Sequence, residues 1–299
     1  MREIWTGDEL ARRRSSFAGR HAITPWLPVV LYSRCDRVGW LCRGRKRRRR
    51  MQMVETELWL VDLHKSGEAL EALEASSPRL SSDVLTRLAA IKDEATRRER
   101  MRAHIALRVL LERQLGPSVR SMPFVIGASG KPALANDGVS FSLAHTKGLA
   151  LIGTGPGMPL GVDLELMRAV HMPETRRAPI EREAVALAAG APLGDGNPDA
   201  RFLRAWVRIE AVAKALGEGV GPLLEHLRPG REAPHSSAEP VSLPGAEQCR
   251  IVAHDVAATR DLFAAVALPA GQSPPPLGVL PEAAAKIEAL LEPGSGTRR

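Results

Sequence analysis

The segment PLGVDLELMR, residues 159–168, is the part of the sequence that decides the fold. Its apolar and acidic residues alternate, which predicts a β-strand over 160–166. Because side chains two positions apart face the same side of a strand, Asp163 and Glu165 project together while their neighbours face the core. Two adjacent carboxylates repel unless a cation neutralises them, and Mg²⁺ commonly binds one or two carboxylates together with phosphate oxygens. A polar strand face exposed to solvent is the alternative interpretation.

A second segment, DARFLRAWVRIEAVAKALG at 199–217, predicts a helix that carries a third acid. Four residues recur at every fourth position and therefore share one face of this helix: Phe202, Trp206, Glu210 and Lys214. Taken alone, the Glu210–Lys214 pair is typical of a surface ion pair that stabilises a helix by about 0.2–0.5 kcal/mol. Lys214 is, however, the only lysine between positions 147 and 286, which favours a functional interpretation.

The order strand, helix, loop, strands occurs twice along the chain. The strands are predicted at 57–63, 139–146, 149–155, 160–166, 250–256 and 262–270, and the helices at 81–91, 93–116, 179–190, 199–217 and 281–292. This order predicts an α+β fold made of two similar α/β halves, at 51–158 and 159–299. A loop rich in Pro, Ser and Gly is predicted at 229–248.

The basic character of the chain is confined to its first 50 residues, although the whole chain has a formal net charge of +8. Residues 1–50 contain 14 Lys and Arg and 4 acids, whereas the other 249 residues carry a net charge of −2. We interpret 1–50 as a basic, disordered N-terminal extension, or as sequence upstream of a start at Met51 or Met53. A tail at 44–50 that binds nucleic acid or an anionic surface is the alternative, but the near-neutral body argues against a nucleic-acid-binding protein.

The apolar runs and the cysteines indicate the cellular compartment of the protein. No run of eighteen or more apolar residues occurs, so we expect no transmembrane helix and no membrane partner. The apolar stretch AITPWLPVVLY contains two prolines and precedes arginines, which is atypical of a signal peptide. Cys249 is the only cysteine after residue 50, so we expect neither a disulfide framework nor a cysteine metal cluster, and a reducing cytoplasm fits.

Basic side chains occur in three further short motifs. GKP at 130–132 places Lys131 beside a glycine that lets backbone approach a ligand, and FSLAHT at 141–146 ends a predicted strand near His145. On the helix at 93–116, a cationic face is formed at four-residue intervals by Arg100, His104 and Arg108. A structural histidine and a solvated helix face are the alternative interpretations of these positions.

Five motifs in this order, RERMRAHIALR, GKP, FSLAHT, LGVDLE and WVRIEAVAKA, resemble those of the Sfp-like 4′-phosphopantetheinyl transferases. The resemblance spans about 57–270. It implies the fold of that family, with two similar α/β halves in a monomer and the active site at their interface. It also implies transfer of 4′-phosphopantetheine from coenzyme A to a serine of an apo carrier protein, in a magnesium-dependent reaction that releases 3′,5′-ADP.

The resemblance also implies roles for individual residues. Asp163, Glu165 and Glu210 match the acids that hold the magnesium ion, and Glu210 is in addition the candidate for activating the acceptor serine. Lys214 matches the lysine that contacts the coenzyme A pyrophosphate. Four basic residues match positions that hold the nucleotide end of coenzyme A, including its 3′-phosphate: Arg100, Arg108, Lys131 and His145.

Three positions depart from the family pattern and affect how the coenzyme is bound. Ile209 stands where the family usually has lysine, and Arg208 cannot simply replace that lysine because it faces about 100° away on the helix. Ala144 replaces a common serine, and Ser142 replaces a common asparagine. Ile209 and Ala144 sustain one alternative function, a non-catalytic descendant that binds coenzyme A or a carrier protein.

Overall fold

Short apolar strands and two long helices make up a mixed α+β chain, as the sequence predicts. A computed structural model describes residues 54–127, 130–135, 138–194, 196–225, 250–256 and 261–292. The strands are β1 (Glu57–Asp62), β2 (Val125–Ile126), β3 (Pro132–Ala133), β4 (Val139–Thr146), β5 (Leu149–Pro156), β6 (Gly161–Leu166), β7 (Ile251–Asp255), β8 (Leu262–Pro269) and β9 (Leu277–Val279). The helices are α1 (Gly67–Ser76), α2 (Ser82–Ala89), α3 (Glu94–Leu115), α4 (Glu174–Leu187), α5 (Pro198–Leu216), α6 (Val220–Glu225) and α7 (Ala284–Ala289).

The strands form two larger sheets and one short ribbon. The first sheet has the order β4-β5-β1-β9, the second has the order β6-β8-β7, and β2 pairs with β3. Neighbouring strands are antiparallel except that β9, from near the end of the chain, pairs parallel with β1. The described residues lie in one compact unit that runs from Met51 to Arg299. The division into halves at 51–158 and 159–299, with a site at their interface, stays a prediction.

Each larger sheet packs against one long helix. Helix α3 contributes most of its buried apolar residues, from Ala103 to Leu111, to a core that also contains apolar residues of β1 and β5. Helix α5 packs its buried face, including Leu203 and Val207, against alanines and Phe263 of the second sheet. The two predicted long helices are therefore confirmed, and each covers its own sheet.

Local sequence explains where these two helices begin and end. The Asp93 carboxylate accepts a hydrogen bond from Thr96 N at 2.7 Å at the start of α3, and the Asn197 amide oxygen accepts one from Asp199 N at 2.8 Å at the start of α5. Helix α5 ends at Gly217, whose φ of 74° is the left-handed conformation that glycine adopts without strain.

The predicted hairpin at 139–155 is formed by β4 and β5, joined at Lys147 and Gly148. Both turn residues have positive φ, 35° and 82°, as a two-residue hairpin turn of type I′ requires. Glu99 on α3 supports the turn, because its Oε1 accepts a hydrogen bond from Gly148 N at 2.7 Å.

The prediction for the fourth helix was wrong at its N-terminal end. We expected the helix to span 179–190. Helix α4 instead begins at Glu174, and Pro179 lies inside it. Pro173 is the residue before the helix, so the chain contains two possible start signals, and the earlier one is used.

Five of the elements given above, two helices and three short strands, were missing from the sequence prediction, and two predicted segments lie outside the described residues. The apolar residues of helix α1 have helical spacing and could have predicted it. Strand β9, helix α6 and the β2–β3 ribbon are too short to show a pattern. The predicted extension at 1–50 and the predicted loop at 229–248 fall outside the described part of the chain. Among the described residues, no helix combines the length and the apolar character that crossing a membrane requires.

Candidate active site

A glycine brings strand β6 directly against helix α5. A Cβ atom built on Gly161 would lie 2.0 Å from Ala211 O and 2.4 Å from Ala215 N, both backbone atoms of α5. Only the absence of a side chain permits this approach. No sequence pattern predicted this role of Gly161, although the glycine stands at the start of the predicted strand.

Asp163 and Glu165 lie on the face of β6 that is turned towards this helix. Asp163 is 6% exposed and Glu165 is 8% exposed, while Val162 and Leu164 pack into an apolar core on the other face. The alternation predicted from the sequence is confirmed. The alternative of a solvent-exposed polar face is wrong, because the strand is covered on both sides.

The Lys214 ammonium joins two of the three predicted acids. Lys214 Nζ donates a hydrogen bond to Asp163 Oδ1 at 2.7 Å and lies 3.7 Å from Glu210 Oε2. Asp163 is buried, whereas Glu210 and Lys214 are half-buried on one face of α5. The structure therefore brings together an acid from β6 and an acid and a base from α5, and the Glu210–Lys214 pair is more than an isolated surface pair.

Burial sets the protonation behaviour of this cluster. Loss of hydration raises the pKa of the Asp163 carboxyl to about 7; the Lys214 ammonium opposes this rise and the Glu210 and Glu165 carboxylates add to it. Burial alone would lower the pKa of Lys214, but the carboxylates of Asp163 and Glu210 outweigh it and raise the pKa. The lysine is therefore held in its charged form between the two acids.

The arrangement fits a cation, although the three predicted metal ligands do not form a ready-made cluster. Glu165 Oε2 lies 3.6 Å from Arg168 Nε, so this acid also has a cationic neighbour. Within the described ranges, no three His, Cys, Asp or Glu side chains are grouped so that they could hold a metal ion. Asp163 and Glu210 nevertheless converge on one positive charge, and carboxylate oxygens are the ligands that Mg²⁺ prefers.

Lys131 lies at the same junction between strand and helix. Its ammonium donates hydrogen bonds to Leu160 O at 3.0 Å and to Ala215 O at 3.3 Å, next to β6 and in the last turn of α5. Burial lowers the pKa of Lys131 to about 8. The predicted coenzyme-binding lysine is thus placed near the acid cluster, where the carbonyl end of α5 attracts a cation.

The two predicted arginines of helix α3 lie in different environments. Arg100 is exposed, whereas Arg108 is 1% exposed. Arg108 donates hydrogen bonds to Val119 O at 3.1 Å and Met122 O at 2.5 Å, and its guanidinium lies 3.8 Å from the centre of the Phe124 ring. In this arrangement Arg108 holds the segment that follows α3, and its predicted contact with the coenzyme stays a prediction.

His104 and the predicted coenzyme ligand His145 influence each other across α3 and β4. His104 is half-buried, and its Nδ1 has no hydrogen-bond partner among the described residues. Burial and, to a lesser extent, the positive charges of His145, Arg87, Arg108 and Arg100 together lower the pKa of His104 to about 4. His104 is therefore a neutral imidazole near pH 7.

Replacing His104 with glutamine should weaken the loss of stability in acid. The unfolded chain binds a proton at His104 below its ordinary pKa of 6.5, whereas the folded chain resists protonation down to about 4, so stability falls as the pH drops through this window. Between pH 7.5 and pH 5 this histidine should cost the wild type about 2 kcal/mol of unfolding free energy. The free energies of unfolding of the wild type and of His104→Gln are measured with urea at both pH values. The exposed His171→Gln is the control. An unchanged pH dependence in His104→Gln would contradict the assignment.

Ser142 ties the first sheet to the second. Its Oγ accepts a hydrogen bond from Val162 N at 3.1 Å, and Ser142 is 6% exposed. Since β4 and β6 are edge strands of different sheets, this bond fixes the strand position next to Asp163. Ala144, two residues later, is 5% exposed and packs in the apolar core beside Leu160 and Val162. The serine at 142 thus has a structural role that the sequence analysis did not predict.

Replacing Ser142 with alanine should lower the free energy of unfolding by about 1–3 kcal/mol, because the buried Val162 N–H loses its acceptor. The matched control is Ser140→Ala in the same strand, since Ser140 is half-buried and no side-chain hydrogen bond of its own is found within the described residues. Urea unfolding of the two variants measures the difference. Equal stability of the two would show that the Ser142 bond contributes nothing.

The departure at position 209 is explained by packing. Ile209 is fully buried in an apolar cluster with Ile180, Ala184 and Phe202, and so points away from the face that carries Glu210. Arg208 is also buried, and it forms two 2.7 Å hydrogen bonds with the Asp255 carboxylate on β7. This pair, which the sequence analysis missed, anchors α5 to the second sheet. Neither residue extends towards Lys214.

Comparisons with known proteins agree with the motifs. The 4′-phosphopantetheinyl transferase HetI of Nostoc sp. is 32% identical over 177 residues, which cover 57% of this chain and 72% of HetI. The Synechocystis sp. protein slr0495, provisionally named a 4′-phosphopantetheinyl transferase, is 28% identical over 156 residues, which cover 50% of this chain and 62% of that protein. No protein-family profile matches the chain. From the identity to HetI and the share of HetI that is covered, the chain belongs to the 4′-phosphopantetheinyl transferase family and is an enzyme that transfers phosphopantetheine.

Proposed function

We propose that this enzyme transfers 4′-phosphopantetheine from coenzyme A to a serine of an apo carrier protein, with Mg²⁺, and releases 3′,5′-ADP. The observation that carries the proposal is the convergence of Asp163 and Glu210 on the Lys214 ammonium. Two acids and a lysine that meet at one point are the groups needed to hold a cation beside a pyrophosphate. Membership of the transferase family supports the same conclusion.

Binding of coenzyme A requires several cations, because it carries a pyrophosphate and a 3′-phosphate. Lys214 is the candidate for the pyrophosphate, since it lies at the acid cluster. Four further residues are candidates for the nucleotide end: Arg100, Arg108, Lys131 and His145. Of these, Lys131 is hydrogen-bonded to carbonyl oxygens and to no carboxylate among the described residues, so a phosphate would improve its charge pairing. Arg108 would first have to release Val119 O and Met122 O.

Asp163, Glu165 and Glu210 are the proposed ligands of magnesium. The ion would neutralise charge that develops on the pyrophosphate. For this, the Lys214 ammonium would move from Asp163 to a phosphate oxygen, which the half-buried position of its side chain permits. Arg168, which is near Glu165, is 41% exposed and can move into solvent.

The proposed reaction forms one bond and breaks one. The carrier serine oxygen bonds to the phosphorus that carries pantetheine, and the bond from that phosphorus to the bridging pyrophosphate oxygen breaks. The serine proton passes to the Glu210 carboxylate, directly or through water, and 3′,5′-ADP leaves with the electron pair. Lys214 stabilises the charge on the leaving pyrophosphate oxygens.

We further propose that this enzyme has the Sfp-like organisation, with two halves in one chain, and that it works as a monomer in the cytoplasm. The similar arrangement of α3 on the first sheet and α5 on the second supports two α/β halves. The bond from β4 to β6 through Ser142, and those from Lys131 to Leu160 and Ala215, support a site near the contact between them.

Carrier mass tests the proposal directly. The full-length protein is incubated with Mg²⁺, coenzyme A and a panel of apo fatty-acid, polyketide and peptide carrier proteins. We expect at least one carrier to gain the mass of one phosphopantetheine, dependent on both coenzyme A and divalent metal. Coenzyme A binding without an adduct on any carrier would favour the non-catalytic descendant instead.

A further inference from the structure

The position proposed for the metal already has a cationic neighbour from the protein itself. Lys214 Nζ is 2.7 Å from Asp163 Oδ1 and 3.7 Å from Glu210 Oε2. Asp163 is nearly inaccessible to solvent, so it depends on this partner more than an exposed carboxylate would. Any divalent ion that binds both acids must therefore compete with the lysine.

We propose that Lys214 is a resident cation that excludes divalent metal from Asp163 and Glu210 until coenzyme A gives its ammonium another partner. This inference rests on the proposed function. It assigns to Lys214 the coupling between metal and coenzyme, in addition to its contact with the pyrophosphate. Metal alone binds weakly, and metal with coenzyme binds strongly.

Electrostatics gives the direction of the coupling. A metal that entered while Lys214 stayed in place would meet a positive charge within a few ångströms, and a displaced Lys214 would lose both of its acids in a half-buried position. The coenzyme pyrophosphate removes this cost, because it offers negative oxygens to the lysine. The affinity of each ligand then depends on the other by the same factor.

No neighbouring positive charge in the described part of the chain can take the place of Lys214 in competing with the metal. Arg168 lies near Glu165 but is 41% exposed, so solvent screens its effect. Lys131 bonds to Leu160 O and Ala215 O rather than to the acids. Among the described residues, Lys214 is the cation that is paired with Asp163 and Glu210 together.

The test is a titration of the full-length protein with Mn²⁺, followed by the electron paramagnetic resonance signal of free Mn²⁺, with and without coenzyme A. In the wild type, coenzyme A should tighten Mn²⁺ binding at least about tenfold, within the usual range of coupling between sites. In Lys214→Met without coenzyme A, Mn²⁺ should bind at least about tenfold more tightly than in the wild type, and coenzyme A should tighten Mn²⁺ binding by a smaller factor than in the wild type. The exposed Lys286→Met is the matched control and should behave as the wild type.

Two results would overturn the inference. One is an Mn²⁺ affinity of folded Lys214→Met that equals that of the wild type. The other, which needs no variant, is a wild-type affinity that coenzyme A leaves unchanged. Lys214→Gln, which keeps a hydrogen-bond donor without the charge, replaces the methionine variant if the latter does not fold. The titration uses no carrier protein, so carrier adducts together with a failed titration would reject this inference and leave the proposed function standing.

Discussion

Replacing Glu210 with glutamine should reduce the rate of phosphopantetheine transfer by about 10²–10⁴-fold, the range expected when a proton acceptor is lost. Glutamine keeps the size of the side chain but removes the charge that would accept the serine proton and help to hold the metal. The fold should survive, because the Glu210–Lys214 contact is 3.7 Å long and half-buried, and Lys214 keeps Asp163 as its partner. The rate is measured from the mass of the carrier protein over time at saturating coenzyme A.

Glu218→Gln is the matched control for this experiment. Glu218 is exposed just beyond the end of α5, and the same chemical change there should leave the rate close to that of the wild type. Thermal unfolding of both variants separates an effect on catalysis from one on folding. Similar rates in Glu210→Gln and Glu218→Gln would show that Glu210 neither accepts the proton nor holds the metal.

Replacing Gly161 with alanine should have the largest effect on stability, a loss of about 3 kcal/mol or more of unfolding free energy. The added methyl group would lie 2.0 Å from Ala211 O and 2.4 Å from Ala215 N. These are backbone atoms of α5, so only separation of the helix from β6 relieves the overlap. That movement would also draw Lys214 away from Asp163, and transfer activity should fall together with stability.

Gly196→Ala is the control for the glycine substitution. A Cβ built on Gly196 meets no atom within 4 Å, and its backbone is not in the left-handed region, so alanine there should change stability by less than about 0.5 kcal/mol. Urea unfolding of the two variants measures both effects. Equal stability of Gly161→Ala and Gly196→Ala would mean that α5 can shift away from β6 without cost.

Strand and helix patterns predicted much of the fold because they are local. The alternation in β6, the spacing in α3 and α5, and the glycines after those helices each lie within a few residues of what they determine. The patterns failed where the cause is distant. Strand β9 is three residues long and exists because β1, more than 200 residues earlier, offers an unpaired edge.

In the candidate site, too, local patterns predicted some features and distant contacts decided others. Sequence spacing put Asp163 and Glu165 together, and put Glu210 and Lys214 together, but it could not bring the two pairs into contact. The carbonyl partners of Arg108, Val119 O and Met122 O, also lie outside any pattern in its helix, and its contact with the coenzyme stays a prediction. The role of Ser142 depends on Val162 N in another sheet, and no pattern around either residue indicates it.

By itself, the sequence determined the order of the motifs and the face on which each acidic side chain lies, because strand and helix geometry repeat over two to four residues. Only the tertiary structure decided that the cation facing Asp163 is Lys214, 51 positions later in the chain. That contact depends on the close approach of β6 to α5 at Gly161, which is a matter of space between two backbones. Sequence periodicity carries no information about such an approach, whereas the packed structure defines it.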